Sequence, residues 1–195
     1  ALEPGAPEGR DHQRAEHRRA ARRGGSRTIE PKYRAIRAEP EFEQAALTQT
    51  PPFAGFYGVA RAIHPERGDT LTVVSQFVSP QYFETLGAAI LLGRPIRDED
   101  LRAGSGPRNV VVSQTMARAL FGETLALGRT FTLAGASPGP LHIVGIASDK
   151  RVRRLTEEPE AVLYEPFDAP SRLAQYISVI VRSPMSVPAT EATLR

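Results

Sequence analysis

An α+β fold is predicted from three features of the sequence. Long runs rich in β-branched residues, such as DTLTVVSQFVS at Asp69–Ser79 and LHIVGIASD at Leu141–Asp149, read as strands. Between them lie short stretches with apolar residues at helical spacing, as in PQYFETLG from Pro80 and SQTMARALFG from Ser113. The two kinds of segment alternate irregularly, with no internal repeat and no run of βαβ units, which favours a mixed architecture over a doubly wound one.

The 195 residues suffice for one large domain or two small ones sharing a core. Hydrophobic content of 41% and charged content of 24% are those of an ordinary globular chain. No run approaches the ~18–20 consecutive apolar residues of a membrane helix, so no span is expected within it. The lack of cysteine removes disulfides, thiolate metal sites and a cysteine nucleophile. Because the sequence starts at Ala1 and stops at Arg195 inside a helix-like stretch, a piece of a longer protein is expected.

The pI of 9.6 suggests a nucleic-acid partner until the charge is placed along the chain. Residues 1–27 hold seven arginines against Glu3, Glu8, Asp11 and Glu16, which accounts for the whole net charge of +3. Positions 28–195 are balanced, so no nucleic-acid surface is expected there. Residues 1–27 also lack large apolar side chains and read as a disordered or linker tail. The functional alternative for this tail is an arginine-rich arm for phosphate or anionic lipid.

From Thr28 the pattern becomes that of a folded domain. Tyr33, Ile36 and Phe42 fit one helix face, and Pro40 marks a break before a strand start at Ala45–Leu47. TPPFAGFYG, Thr50–Gly58, reads as an exposed aromatic loop in which Phe53, Phe56 and Tyr57 are candidate partner contacts. After the strand at Asp69–Ser79, Ser79 as N-cap and Pro80 in the first turn open a short helix. Tyr82, Phe83 and Leu86 form its buried side and Gly87 its stop. AAILLGR is expected to be buried, and Arg94-Pro95 leads into the acidic IRDEDL. NVVVSQTMARALFG is a strand running into a helix, with Ser113 as N-cap, Met116, Ala119 and Leu120 on one face, and Gly122 as the stop. Leu127–Leu133 and Leu141–Asp149 flank a Gly/Pro/Ser turn as a hairpin. Ala161–Phe167 and Gln175–Ser183 add two strands, and SVPATEATLR starts a last helix.

The candidates for chemistry are weak. Asp98, Glu99 and Asp100 are consecutive, and neighbouring side chains diverge by ~100° in a helix or ~180° in a strand, so they read as a solvated helix start with an Asp cap. His12, His17, His64 and His142 are scattered without HxH or HExxH spacing, so no metal site is expected. Ser113, His142 and Asp149 are the three residues from which a hydrolytic triad could be assembled, yet VVVSQTM lacks the G-x-S-x-G elbow. Gly104–Gly106 lacks the glycine spacing and lysine of a phosphate loop. No cofactor is expected.

Four segments in order carry a resemblance: VSPQYFETLGAAILLGRPIRDED, RNVVVSQTMARALFGETLALGRTFTL, LHIVGIASDKRVRRLTEEPEAVLYEPF and ISVIVRS. Over roughly residues 40–195 they resemble the extracytoplasmic core domain of MacB-like ABC transporter permeases, with residues 28–70 fitting loosely and residues 1–27 not at all. The large-permease branch of acidobacteria is the nearest pattern. The resemblance implies a porter-like α/β part, residues 28–76 and 175–195, with an inserted mostly-β part, residues 77–174. It implies a non-catalytic domain outside the cytoplasmic membrane that couples cytoplasmic ATP hydrolysis to export or to mechanotransmission. The implied partners are an ATP-binding subunit or domain reached through membrane helices, a second permease in a dimer, and a periplasmic adaptor protein. On this reading Phe77–Asp100 is a structural joint. Tyr82, Phe83 and Leu86 pack it, Gly87 and Gly93 permit close turns, and Arg94 pairs with Asp98 or Asp100. A membrane-anchored hydrolase is the alternative.

Overall fold

The fold was read from a computed structural model, which describes residues 33–54, 57–101, 106–122, 126–135, 139–150, 158–167 and 177–194. Residues 33–38 form helix α1. There follow β1 (Gln44–Thr48), β2 (Gly58–Ile63), β3 (Thr70–Val78), α2 (Tyr82–Thr85) and β4 (Ile90–Gly93), then a 3-10 turn at Asp98–Leu101. The chain continues through β5 (Arg108–Ser113), α3 (Gln114–Phe121), β6 (Thr130–Leu133), β7 (Leu141–Ala147), β8 (Val162–Pro166), β9 (Ser178–Arg182) and α4 (Val187–Thr193). The class is α+β.

Six of the strands close on themselves. β2 pairs β6, β6 pairs β7, β7 pairs β5, β5 pairs β8, β8 pairs β3, and β3 returns to β2. Closure leaves no open edge around the ring. The parallel pairs β5–β7 and β3–β8 lie in its most enclosed part, where consecutive residues Val110–Ser113 and Val162–Pro166 are all buried instead of alternating. Val73, Val110, Val112, Phe131, Leu141, Ile143, Ile146 and Leu163 fill the interior. Each stabilises the fold by roughly 1.5–3 kcal/mol. Helix α3 starts directly from the end of β5 and closes that mouth of the ring with Met116, Ala117 and Leu120.

The outer face of the ring carries Val74, Val78, Val111, Val162 and Tyr164, covered by Tyr82 and Phe83 of α2 and by Ile96. β1 and β9 form a two-stranded ribbon with registers from Gln44↔Arg182 to Thr48↔Ser178, joined to the ring's sheet at Thr48↔Val78. One side of the ribbon packs Ala45 and Leu47 with Tyr33 and Ile36 of α1, the other packs Ala46 and Ile180 against the α2 cluster. β4 lies along the edge of β7 from Ile90↔Ala147 to Gly93↔Gly145. Pairings β2–β6 and β3–β8 connect residues 28–76 with residues 77–174.

Several local expectations are corrected. Helix α1 ends before Pro40, and Phe42 is buried beyond it rather than on its face, since the residue preceding a proline resists the helical conformation. Ser79 does not cap α2: Gln81 holds that place, and Ser79 Oγ instead accepts the Leu47 N–H of the adjacent β1 at 3.0 Å. AAILLGR contains edge strand β4, and Leu91 and Leu92 are left 45% and 40% exposed. On α3, Ala117 and not Ala119 is buried beside Met116 and Leu120. The strand expected from Leu127 starts at Thr130, after a turn closed by Arg129 N–H to Ala126 O. Strand β2 was unanticipated: GVARAI has little β-branched content, and its six register pairs with β3 impose the conformation. At the β2–β3 turn, His64 Nδ1 accepts the N–H groups of Glu66 and Arg67 at 3.1 and 3.0 Å, so that histidine is a turn residue.

Candidate functional site

The segment after β3 is fixed at three points, beginning with α2. Its last turn is closed by a Schellman arrangement, with Gly87 N–H to Glu84 O at 3.0 Å and Ala88 N–H to Phe83 O at 2.8 Å. Gly87 takes φ +61, the left-handed region that favours glycine, and the one atom a Cβ there would meet is the movable end of a side chain, Arg182 Nη2 at 2.9 Å. Tyr82, Phe83 and Tyr164 pack ring against ring, with centroids 5.0–5.8 Å apart, and Leu86 packs against the same cluster. Burial, with the neighbouring phenols of Tyr164 and Tyr57, pushes the Tyr82 hydroxyl far above its ordinary range. Among the described residues it has no hydrogen-bond partner. Burial also raises the Tyr164 hydroxyl, helped by the charge of Asp149.

The second point is the crossing of β4 over β7. Gly93 has φ +73, and a Cβ on it would collide with the Val144 carbonyl oxygen and meet Leu127 Cδ1 at 2.6 Å. Its register partner Gly145 has the Arg94 carbonyl oxygen where a Cβ would stand. Two backbones approach here in a way that no side chain permits.

The third point is Arg94. Of the two acids expected for it, Asp100 is the partner, in a two-pronged pair of 2.6 and 3.0 Å. The Asp100 carboxylate, its side chain only 1% exposed, also accepts the Arg97 N–H at 2.8 Å and Asn109 Nδ2 at 2.7 Å. Its environment is therefore opposite to the solvated cap expected from the sequence, while Asp98 and Glu99 stay exposed. Burial pulls the Asp100 pKa upward, but Arg94, Asn109 and the Arg97 N–H overcome it and hold the carboxyl below its ordinary range. The same pair raises Arg94 against the opposing effect of burial. Since a carboxylate only accepts, Asn109 must turn its NH2 toward Asp100. Its Oδ1 then faces His142 Nδ1 at 3.0 Å, and that nitrogen carries the proton. β4, the 3-10 turn, β5 and β7 are thus tied by one polar chain.

A separate charged group sits at the ring mouth opposite α3. Glu165, its side chain 4% exposed, accepts Arg108 Nη2 at 2.6 Å and Ser75 Oγ–H at 2.9 Å. Ser75 occupies the second carboxylate oxygen, and Arg108 Nε has no partner among the described residues. Sequence reading missed this group. Its one signal was an acid inside the apolar run AVLYEPF, while Arg108 and Ser75 stand too far away in sequence to be linked by spacing.

The three residues considered for a hydrolytic triad are kept apart. Register places Ser113 beside Ala147, five residues beyond His142 on β7 and so about 16 Å along the strand. Ser113 Oγ accepts the N–H groups of Met116 and Val162 at 3.2 and 3.0 Å and donates to Glu160 O at 3.3 Å, so no base faces its proton. It caps α3, as expected. Asp149 accepts Thr115 N–H and Oγ1–H at 2.9 and 2.8 Å. No group of three or more His, Cys, Asp or Glu among the described residues could hold a metal ion. In the aromatic loop, Phe53 is 51% exposed at φ 66. Tyr57 packs against the α2 cluster and donates to Pro51 O at 3.5 Å. Phe56, His12 and His17 lie outside the described residues.

The mixed sheet with its short helices is the α+β architecture of the periplasmic domains of MacB-like ABC transporters. The family model of the MacB-like periplasmic core domain matches residues 8–195, and the chain belongs to that family. It is 36% identical over 70 residues to the macrolide export ATP-binding/permease protein MacB 1/2 of Paracoccus denitrificans, a match covering 36% of this chain and 10% of that protein. In fold it is similar to the periplasmic region of MacB from Actinobacillus actinomycetemcomitans, with TM-score 0.58, 16% identity, and 84% of this chain and 69% of that one covered. The extracellular domain of the noncanonic ABC-type transporter YknZ from Gram-positive bacteria gives 0.58 at 19% identity, covering 84% and 76%. A domain of a putative permease protein from Porphyromonas gingivalis gives 0.57 at 19%, covering 84% and 65%. Among the described residues no helix is long and apolar enough to cross a membrane.

Proposed function

We propose that this chain is a non-catalytic domain of an ABC-type permease, lying outside the cytoplasmic membrane and moving with membrane helices to which it is joined. Family membership over residues 8–195 carries this reading. In it, ATP hydrolysis occurs in a cytoplasmic subunit or domain, and the domain converts the resulting movement into export or into work on a periplasmic partner such as an adaptor protein. The permease acts as a dimer. The porter-like part, residues 28–76 and 175–195, holds the ribbon, and the inserted part, residues 77–174, supplies most of the ring. Tyr82, Phe83, Leu86, Gly87, Gly93 and Arg94 keep the joint between them rigid. Phe53, Phe56 and Tyr57 offer the aromatic contact for a partner.

The test is made in the full-length parent permease, in intact cells, with Val59→Cys at an exposed site of β2. Labelling by a membrane-impermeant maleimide without permeabilisation is the expected result, measured against the unsubstituted permease. Labelling that requires permeabilisation places the domain inside the cell and sinks the reading. The hydrolase alternative has no support in the position of Ser113, whose proton is committed to the Glu160 carbonyl.

A further inference from the structure

We propose that the notch where β2 gives way to β1 along β3 is a binding site for a small neutral carbonyl compound, held by the Gln76 carboxamide and the Tyr82 hydroxyl. β8 takes one edge of β3 over Val74–Val78. The other edge is shared by β2 and β1, both antiparallel to β3. Thr48 stands opposite Val78 and Gly58 opposite Ser75, so a step of ten residues on one side answers a step of three on β3. The surplus of seven leaves the sheet beside Gln76. Pairing on this edge stops at Ser75 and resumes at Phe77, whose carbonyl oxygen accepts Gln49 N–H at 3.0 Å. The two residues stand about 7 Å apart along β3. Gly58, which borders the gap, brings no side chain to it.

Gln76 is fully buried and in register with Tyr164 of β8. Its Oε1 lies 3.3 Å from Thr48 Oγ1, whose single proton also has the Thr50 carbonyl oxygen at 3.1 Å. Its Nε2 carries two N–H groups and has no acceptor among the described residues. Tyr82, 1% exposed, sets its ring 5.8 Å from that of Tyr164, and its hydroxyl is a second buried donor without an acceptor among them. Three buried side-chain polar atoms lack a partner among the described residues, and two of them are these; the third, Arg108 Nε, belongs to the ring mouth. Two idle donors in one cluster lower stability unless a molecule from outside accepts from them. Such a molecule must bring an acceptor oxygen. The ionisable groups that act on Tyr82 and Tyr164 are phenols and the Asp149 carboxylate, with no cation among them, so an anion is disfavoured there. Tyr57, Val74 and Val78 complete an apolar wall. A ketone, ester or amide carbonyl on a small apolar frame meets these conditions. The site is independent of the function proposed above.

Cyclohexanone, which accepts hydrogen bonds and donates none, is the probe. It is titrated into the 195-residue chain while the Gln76 side-chain amide is followed by proton–nitrogen NMR. The expected result is a saturable shift of that amide, with other shifts confined to residues around the notch. The melting temperature should rise by about 3–6 °C at ten times the Kd. Gln76→Met and Tyr82→Phe keep the bulk of each side chain and remove the donor. Each should fold at least as stably as the parent chain and weaken binding about tenfold, the worth of one hydrogen bond. An unmoved Gln76 amide, or binding that survives both substitutions, would overturn the proposal. So would a Gln76 N–H bonded to Thr48 Oγ1, or a lone water at the amide that cyclohexanone does not displace. A variant that melts well below the parent also counts against it, since the donor would then have its partner within the fold.

Discussion

The ring and the ribbon belong to one sheet but are built to different specifications. Every ring strand is paired on both edges, and the ring's interior strands β5, β7 and β8 are buried almost throughout. In the ribbon, β9 is paired along β1 and shows only partly buried or exposed side chains, with Val179 37% exposed. Chain closure makes the ring cooperative, because opening any strand breaks two ladders. The ribbon opens by breaking one. The difference teaches where stability and where compliance reside in this domain, and it can be challenged by substitution.

The largest effect is expected in the ring core. Ile143→Ala removes a fully buried side chain and should lower stability by about 2–5 kcal/mol. Ile180→Ala in the ribbon removes a half-buried one and should cost about 1 kcal/mol, in proportion to area. Chemical denaturation of both variants checks this, and comparable losses would erase the distinction. Next comes the ring mouth. Glu165→Gln leaves the Arg108 charge uncompensated beside an enclosed site and should cost about 3 kcal/mol. The double variant Glu165→Leu with Arg108→Met should recover most of that loss, since a buried pair is weakly stabilising compared with well-packed apolar groups.

The Arg94–Asp100 pair should contribute less, being near the surface on the arginine side. Asp100→Asn is expected to lower stability at pH 7 by about 1–2 kcal/mol, the worth of hydrogen bonds to a charged group. Because the folded state holds the Asp100 carboxyl below its ordinary range, the charged pair's contribution is fully present above the unfolded pKa of about 4 and is lost as the pH falls through the folded value. The gap between wild type and Asp100→Asn should therefore narrow in acid. Denaturant midpoints measured from pH 7 down to pH 3 would show it, and a gap independent of pH would mean that Asp100 acts through shape alone.

Much of the ring was legible in the sequence, and its logic shows why. RNVVVS, LHIVGIASD and AVLYEPF each hold a run of consecutive apolar residues, VVV, IVGIA and AVLY, in the part of the sheet where parallel pairing buries both faces, so composition marks them. Ser113 and Gly122 announced both ends of α3, since capping is a local property of the chain. β2 was hidden, because GVARAI becomes a strand only through β3. Burial of Asp100 was hidden too: nothing in IRDEDL distinguishes the acid that turns inward from the two that do not. That choice is made by Arg94, Asn109 and the Arg97 N–H, which the fold brings together. The family likeness rested on the order of four segments rather than on a catalytic motif, and those segments hold four of the six ring strands, β5–β8, together with α2, β4, α3 and β9.

The smallest expected effect is that of Tyr82→Phe, where ring and ribbon meet. The Tyr82 ring packs against Phe83 and Tyr164 and belongs to the cluster that covers both the outer face of the ring and one side of the ribbon. Its hydroxyl, by contrast, is buried without a partner among the described residues. An unpaired buried hydroxyl forfeits its bonds to water and receives nothing in return, a cost of about 1–3 kcal/mol. Tyr82→Phe keeps the packing and removes that cost, so stability should stay level or rise by up to about 1 kcal/mol. Tyr82→Ala should lose about 3–5 kcal/mol, because it removes the ring itself. A thermal melt of the two variants separates packing from polarity at this seam. If Tyr82→Phe loses stability, the hydroxyl has a partner in solution, and the contact between α2 and the sheet is polar as well as aromatic.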